Sequence, residues 1–182
     1  QRLGLPVFVK PARGGSSIGV SKVSTWEEFP AAVDLALEDD EKILVEPEIV
    51  GQEVEIGVLH YADGTLLASV PALLAGIDDS DEGFYGFDTK YLDNVVTAEI
   101  PAPFAPELTE KLRGMAIRAF EALNCEGLSR VDFFVTEDSV YINEINTLPG
   151  FTPISMYPQV LAASGVEYPA LLEALIEQAL AK

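Results

Sequence analysis

The sequence predicts an α+β fold in which antiparallel or mixed sheets are flanked by helices. Residues 128–146 alternate apolar and polar side chains on either side of a polar turn at residues 136–139, which is the pattern of a β-hairpin. Residues 106–124 repeat apolar side chains every three or four positions, which is the period of an amphipathic helix. Strand pairs and separate long helices in one chain are typical of the α+β class.

The composition excludes several classes of partner. The formal net charge of -19 argues against a nucleic-acid backbone or an anionic membrane surface, because both bind basic patches. A nucleotide is compatible with this charge, since its phosphates need only a few local cations and a metal. Cys125 is the single cysteine, which excludes an intrachain disulfide and favours the reducing cytoplasm. No apolar run of about eighteen residues and no signal peptide is found, so no membrane span is expected.

A strand predicted at residues 5–10 ends in Lys10 and leads into a loop at residues 11–20 with three glycines and two serines. Backbone N–H groups of such a loop can approach an anion closely, and Lys10 can meet a phosphate as a point charge. The loop does not have the G-x-x-x-x-G-K-[ST] pattern, because its lysine precedes the glycines and no helix follows at once. A flexible hairpin tip is the plain alternative, and the loop taken alone favours it.

A helix is predicted to follow this loop. Ser24 and Glu27 have the spacing of a capping box, and Pro30 is tolerated in a first turn. The expected buried face consists of Phe29, Ala32, Val33, Ala36 and Leu37. The acidic run at residues 39–41 is most simply a solvated turn at the end of this helix.

Two further strands are predicted at residues 42–46 and 53–58, with a break between them. The pair Asp63-Gly64 indicates a hairpin turn, from which the chain returns through residues 66–70. Glu53 and Glu55 are expected by default on the outer face of an antiparallel strand. His60 is the only histidine and lies near the hairpin end, so a surface position is favoured over a catalytic one.

Residues 76–95 are acidic, aromatic and glycine-containing, without a clear period. A long segment of this kind predicts a loop, and long ordered loops often act as lids. Its aromatic residues are Phe84, Tyr85, Phe87 and Tyr91. Lys90 is the only cation among them.

The C-terminal part is predicted to contain a short strand at residues 97–101 and three helices. The first helix spans residues 106–124, and its apolar face is Leu108, Leu112, Met115, Ala116, Ala119, Phe120 and Leu123. A short helix is expected at residues 156–164. The last helix begins at Tyr168, and its expected buried face is Leu171, Leu172, Leu175, Ile176 and Leu180.

The hairpin at residues 128–146 carries the strongest chemical signal. If its strands pair, Arg130 and Asp132 share a face with Glu144 and Asn146. Hard divalent cations take oxygen ligands, and Mg²⁺ is usually held by one or two carboxylates plus substrate phosphates. A guanidinium beside them can clamp a phosphate through its planar fork. The alternative is a strand pair with a solvated, salt-bridged face.

Four segments together resemble the D-alanine–D-alanine ligase family of the ATP-grasp superfamily. They are VKPARGGSSIGVSKV, FYGFDTKYL, GLSRVDFF and INEINTLPGFTPISMYP, and they extend over nearly the whole chain. The resemblance implies the ATP-grasp fold and ATP-dependent ligation of two D-alanines for peptidoglycan synthesis. The implied intermediate is an acyl phosphate, which an aromatic lid would protect from water.

The resemblance also implies a set of nucleotide-binding residues. Lys10 would contact phosphate, and Glu46 would accept a hydrogen bond from the adenine amino group. The backbone of Glu48 and Ile49 would face the adenine edge, and Glu53 would bind the ribose. The remaining residues expected at the nucleotide are Ser16, Ser17, Phe84, Lys90 and Phe134.

A metal site and a catalytic set follow from the same resemblance. Asp132, Glu144 and Asn146 would hold two Mg²⁺ (or Mn²⁺) ions that bridge the ATP phosphates. Arg130 and the N–H of Gly150 would stabilise the tetrahedral intermediate. The other residues expected in the catalytic and substrate-binding set are Ser17, Lys90, Tyr91 and Ser155, of which Lys90 would touch the γ-phosphate and Ser155 would hold the carboxylate of the second D-alanine. Tyr91 favours the dipeptide over D-alanyl-D-lactate.

The chain of 182 residues starts at Gln1 without an initiator Met, so we expect it to be cut from a longer protein. Residues 1–48 would then belong to the central ATP-grasp subdomain and residues 49–182 to the C-terminal one. The N-terminal domain would be missing, the piece alone inactive, and the full-length enzyme a homodimer. The alternatives are another ATP-grasp ligase such as a D-alanine–D-lactate ligase, a non-catalytic nucleotide-binding module, and a fragment that associates through an exposed surface.

Overall fold

The computed structural model describes residues 3–15, 17–75 and 97–181. The expectations for Ser16, Phe84, Lys90 and Tyr91, and for the lid at residues 76–95, lie outside these ranges. The chain divides into two compact units, Gln1–Val50 with Gly76–Thr97 and Gly51–Ala75 with Ala98–Lys182. Each unit contains a sheet and at least one helix, so the expected α+β class is confirmed.

The first unit contains an antiparallel sheet of order β2-β1-β3 in its described part. Its elements are β1 (Val7–Pro11), β2 (Ser21–Val23), α1 (Phe29–Asp39) and β3 (Ile43–Pro47). Alternate residues of β1 are buried, as expected for a strand with one face against a helix. The core of this unit consists of Val7, Val9, Val23, Ala32 and Ala36.

The start of α1 differs from the sequence prediction. The helix begins at Phe29, and the carboxylate of Glu28 accepts hydrogen bonds from the N–H groups of Ser24 (2.8 Å) and Thr25 (3.2 Å). The predicted capping box with Glu27 is therefore wrong by one residue, because Glu28 reaches back to the turn instead. Pro30 lies in the first turn as predicted, whereas Leu37 is 46% exposed and does not belong to the buried face.

The second unit is built on a larger sheet of order β7-β6-β4-β8-β9, within the part of the chain that the structure describes. The strands are β4 (Gln52–His60), β5 (Leu66–Ala68), β6 (Ala72–Ala75), β7 (Thr97–Glu99), β8 (Leu128–Val135) and β9 (Val140–Asn146). Both β5 and β6 pair with β4. The returning strand predicted at residues 66–70 is thus shorter, and β6 is a further strand that the sequence did not predict. The break between β5 and β6 contains Pro71, which has no N–H to donate.

Three helices complete the second unit. They are α2 (Pro106–Ala122), α3 (Met156–Ala163) and α4 (Tyr168–Leu180). The core that includes α2 consists of Val54, Ile56, Val58, Ala68, Leu73, Ala102, Leu112, Ala116, Phe120, Val131, Phe133 and Val135. The core that includes α3 and α4 consists of Leu59, Ala72, Tyr157, Val160, Leu161, Leu171 and Ala174. Because strand side chains alternate between faces, the residues of β4 and β8 that miss the first core point to the other face.

The buried stripe of α4 is narrower than predicted. Leu171 and Ala174 are buried, but Leu172, Ile176 and Leu180 are 40%, 60% and 79% exposed. Among the described residues, no helix is both long enough and apolar enough to cross a membrane.

Candidate functional site

The neighbouring strands β4, β8 and β9 of the second unit align polar residues in two adjacent rows. In the first row, Glu55 of β4 pairs with Asp132 of β8, which pairs with Glu144 of β9. In the second row, Arg130 pairs with Gly57 on one side and with Asn146 on the other. The register therefore places Arg130 and Asp132 opposite Asn146 and Glu144, as the hairpin pattern predicted.

The strand β9 departs from the predicted alternation. The register shifts between Asp132 and Phe133, so that Phe133 pairs with Ile142 and Asn143 is the extra residue of a bulge. Tyr141, Ile142, Asn143 and Glu144 are consequently all exposed. A bulge bends the strand and changes the direction of the following side chains, which a strict period of two cannot predict.

The Arg130 guanidinium lies among carboxylates. Its Nε and Nη2 donate to the two carboxylate oxygens of Asp132, both at 2.7 Å, and its Nε lies 3.3 Å from Oε2 of Glu55. The side chains of Arg130 and Asp132 are each 14% exposed, and that of Glu55 is 3% exposed. Burial opposes the charged form of Arg130, but the hydrogen bonds and charge of Asp132, with the charges of Glu55 and Glu144, outweigh it and raise the pKa of Arg130.

The burial of Glu55 contradicts the expectation of an outer-face position. Every residue of β4 from Val54 to Leu59 is buried, because β4 has strand partners on both edges and cores on both faces. Sequence reasoning did not assign Glu55 to the site. The spacing of Glu55 two residues after Glu53 did not indicate burial, since any half-exposed strand shows the same alternation.

The proposed metal ligands fit a hard cation by their chemistry. Asp132, Glu144 and Asn146 supply carboxylate and amide oxygens from neighbouring positions of two strands. In this structure both oxygens of Asp132 face Arg130, and Oδ1 of Asn146 accepts a hydrogen bond from the N–H of Leu148 at 3.1 Å. Across residues 3–15, 17–75 and 97–181, no group of three or more His, Cys, Asp or Glu side chains forms a metal cage. Oxygen ligands of this kind are those that Mg²⁺ takes when substrate phosphates supply further ligands.

The loop after β9 brings Gly150 close to Ser155. A Cβ added at Gly150 would lie 3.0 Å from the Ser155 hydroxyl oxygen, so a side chain there would require this hydroxyl to shift. The Ser155 hydroxyl accepts a hydrogen bond from the Thr152 N–H at 3.1 Å, and the backbone N–H of Ser155 donates to the Thr152 carbonyl at 2.8 Å. The predicted oxyanion donor and the predicted carboxylate anchor therefore share one short, internally bonded loop.

In the first unit, Lys10 and Glu46 form an ion pair of 2.7 Å. Lys22 and Glu48 form a second ion pair of 2.6 Å, and the N–H of Glu48 donates to the carbonyl of Pro6 at 3.1 Å. Since this N–H is engaged, Glu48 can offer only its carbonyl oxygen to an adenine edge.

The remaining predicted nucleotide residues fall on different elements. Ile49 follows β3 and is partly buried. Glu53 and Phe134 pair with each other across β4 and β8 in the second unit, in the row next to Glu55 and Asp132. Both are partly buried.

The glycine/serine loop joins β1 to β2 and is held at its base. Arg13 donates to both carboxylate oxygens of Asp40, at 3.0 and 2.7 Å. Ser17 has φ 58° and Gly19 has φ 71°, and a Cβ at Gly19 would lie 2.6 Å from Oδ2 of Asp39. The loop is therefore a hairpin connection with a constrained, partly left-handed backbone.

The acidic run at residues 39–41 is not simply a solvated turn, as the sequence suggested. Asp40 is 7% exposed, and it accepts the Lys42 N–H at 3.0 Å as well as the Arg13 fork. The hydrogen bonds from Arg13 have the largest effect, and together with that from Lys42 they hold the pKa of Asp40 well below its usual range.

His60 is partly buried rather than at the surface. Its ring packs edge-on against Phe120, with centroids 6.1 Å apart. Nδ1 of His60 is buried and has no hydrogen-bond partner among the described residues. This position at the α2 core is consistent with packing and gives no support to a catalytic role.

The chain is similar to known proteins over nearly its whole length. A family model described as D-ala D-ala ligase C-terminus matches residues 1–177. The D-alanine–D-alanine ligase of Corynebacterium efficiens is 67% identical over 178 residues, which cover 98% of this chain and 49% of that protein. The ligase of the same name from Corynebacterium diphtheriae is 64% identical over 182 residues, covering 100% of this chain and 50% of that protein.

Solved structures agree with these relatives. The D-alanine-D-alanine ligase from Coxiella burnetii superposes with a TM-score of 0.81 at 38% identity, covering 96% of this chain and 44% of that chain. The VanG D-Ala:D-Ser ligase from Enterococcus faecalis gives a TM-score of 0.81 at 34% identity, covering 95% and 49%.

The fold is that of the ATP-grasp class, as expected. The chain belongs to the D-alanine–D-alanine ligase family, of which it matches the C-terminal part. It spans about half the length of the curated relatives it matches.

Proposed function

We propose that the protein containing this chain is a ligase that joins two D-alanines at the expense of ATP. The observation that carries the proposal is the group of Arg130, Asp132 and Glu144 on the adjacent strands β8 and β9, in a chain of this family. In the proposed reaction the carboxylate of the first D-alanine attacks the γ-phosphate of ATP and releases ADP. The amine of the second D-alanine then attacks the acyl phosphate, and phosphate leaves.

The residues of the second unit have distinct tasks in this proposal. Asp132, Glu144 and Asn146 hold magnesium, which neutralises phosphate charge as a Lewis acid when bound. Arg130 and the N–H of Gly150 donate to the oxyanion that develops on the attacked carbonyl. A fixed donor of this kind is typically worth about 3–4 kcal/mol of transition-state stabilisation.

Each unit also has proposed substrate contacts. In the second unit, Ser155 anchors the carboxylate of the second amino acid. In the first unit, Lys10 binds phosphate and Glu46 binds the adenine amino group, and the two side chains form an ion pair of 2.7 Å. Phosphoryl transfer depends mainly on positioning and charge neutralisation, which these side chain types supply.

A single isosteric substitution tests the proposed metal site. Glu144→Gln in the full-length protein should lower ATP-dependent formation of D-alanyl-D-alanine by about 100-fold or more, because a neutral amide is a poorer ligand for a hard cation. Phosphate release and dipeptide yield measure the effect. Glu137→Gln is the matched control, since Glu137 is an exposed residue at the turn of the same hairpin and should retain full activity.

Two results would contradict this function. Wild-type protein that binds Mg-ATP without releasing phosphate in the presence of D-alanine would favour a non-catalytic module. Glu144→Gln with unchanged activity would remove the metal role of this row.

The acceptor is a separate question, because one similar solved structure is named a D-Ala:D-Ser ligase. We propose D-alanine as the acceptor, since the relatives at 64–67% identity are named D-alanine–D-alanine ligases. Competition between D-alanine, D-serine and D-lactate in one reaction, resolved by mass spectrometry, tests this choice. A homodimeric state and a cytoplasmic location are part of the same proposal.

A further inference from the structure

The buried carboxylate of Glu55 has no place in the proposed set of ligands and substrate contacts. It lies in the centre of β4, directly opposite Asp132, and its side chain is 3% exposed. A carboxylate buried to this extent is costly unless a cation or several donors compensate it. Its Oε2 lies 3.3 Å from Nε of Arg130, so the arginine supplies at least part of that compensation.

The Arg130 guanidinium is thereby held between two strands. Asp132 lies on its own strand and takes Nε and Nη2 in a fork, while Glu55 approaches Nε from β4. The two N–H groups that face Asp132 fix one edge of the guanidinium, so its other N–H groups have a defined direction in which to donate to a substrate oxygen.

The carboxylate oxygens of Asp132 have two partners in the proposed function. It forms the fork with Arg130, and it is also proposed to bind magnesium. A metal that takes one oxygen of Asp132 weakens that fork, and a guanidinium held by Asp132 alone would then lose part of its orientation. Glu55 contacts Arg130 from the neighbouring strand and is independent of this exchange.

We propose that Glu55 is a positioning residue that holds Arg130 in its donating orientation while Asp132 is shared with the metal. This inference rests on the proposed function. It assigns Glu55 to the step in which charge develops on the attacked carbonyl, and not to the binding of the nucleotide.

The test uses the full-length protein with ATP, magnesium and D-alanine. Glu55→Gln should lower kcat by about tenfold or more, and Glu55→Asp, whose carboxylate is withdrawn by one methylene, by about threefold or more. The KM for ATP, and the Kd of Mg-ATP from calorimetry, should stay within about threefold of wild type. Ser129→Ala is the matched control, because Ser129 precedes Arg130, is fully buried and lies on the other face of β8.

The outcomes separate this inference from the proposed function. Wild-type protein without ligase activity contradicts the function itself. If the wild type is active and Glu55→Asp keeps the wild-type kcat, the proposed role of Glu55 is overturned. The role is also overturned if either variant changes the KM for ATP or the affinity for Mg-ATP but leaves kcat unchanged. If Glu55→Gln does not fold, as shown by circular dichroism, Glu55→Asp alone decides.

Discussion

At the scale of single residues, each of the two units contains a buried carboxylate that faces an arginine. Asp40 receives the Arg13 fork in the first unit, and Glu55 lies against Arg130 in the second. Arg13 meets both oxygens of Asp40 with its planar donors. Arg130 makes the corresponding fork with Asp132, and its Nε lies 3.3 Å from one oxygen of Glu55. Neither carboxylate was assigned such a role from the sequence, because its burial is created by chain segments distant in sequence.

Asp40 provides a stability prediction with a defined pH dependence. Asp40→Asn should lower the melting temperature of the protein by a few degrees at pH 7, because it removes a charged acceptor from Arg13. The folded pKa of Asp40 is depressed, so its contribution is complete above the unfolded pKa of about 3.9 and is lost as the pH falls below that value. The gap between variant and wild type should therefore narrow below about pH 4.

Thermal unfolding monitored by circular dichroism at a series of pH values measures this gap. Asp34→Asn serves as control, since Asp34 lies on the exposed side of α1 and undergoes the same change of charge. A gap that stays constant from neutral pH down to about pH 3 would show that the Arg13–Asp40 pair does not carry the effect.

At the scale of elements, the contact of β4 with α3 positions the loop that carries Gly150 and Ser155. Gly57 of β4 faces α3, and the Tyr157 hydroxyl donates to the carbonyl of Val58 at 3.1 Å. Ser155 is the N-cap residue immediately before α3. The packing of α3 on β4 therefore determines where the loop between β9 and α3 ends.

Gly57→Ala should disturb this contact. The added Cβ would overlap the buried Leu161 side chain and lie 3.0 Å from the Tyr157 ring. Overpacking of a filled core typically costs about 1–3 kcal/mol, so the free energy of unfolding should fall by that amount in denaturant titration. The KM for D-alanine should rise as well, because a shift of α3 moves Ser155.

Gly114→Ala is a control that should change the free energy of unfolding in the opposite direction. Gly114 lies inside α2, and a Cβ there would make only an ordinary contact, 3.4 Å from the Arg118 side chain. Replacing a helix-interior glycine by alanine typically stabilises by about 0.5–1 kcal/mol. If Gly57→Ala were as stable as wild type, the close packing of β4 and α3 would not limit this position.

At the scale of the whole molecule, the sequence predicted what depends on local pattern. The hairpin turn at residues 136–139, the pairing of Arg130 with Asn146 and the helix from Pro106 all follow from periodicity and turn chemistry within one segment. The bulge in β9 and the burial of Glu55 depend on which strands become neighbours, and the sequence of a single strand does not specify its neighbours. The exposed side of α4 has the same origin, because an apolar helix face does not specify how much of it another element covers.

The charge of the whole chain leads to a last prediction. The sequence contains 30 acidic and 11 basic residues and a formal net charge of -19, so repulsion between carboxylates opposes the folded state. Raising NaCl from about 20 mM to about 300 mM shortens the Debye length severalfold and should raise the melting temperature. The partly buried Arg130–Asp132 pair is screened much less than exposed charges, so the weakening of this pair by salt should not cancel the rise in melting temperature. Differential scanning calorimetry in NaCl and KCl without magnesium measures the effect, and a melting temperature that falls with either salt would show that attractive surface pairs outweigh the net repulsion.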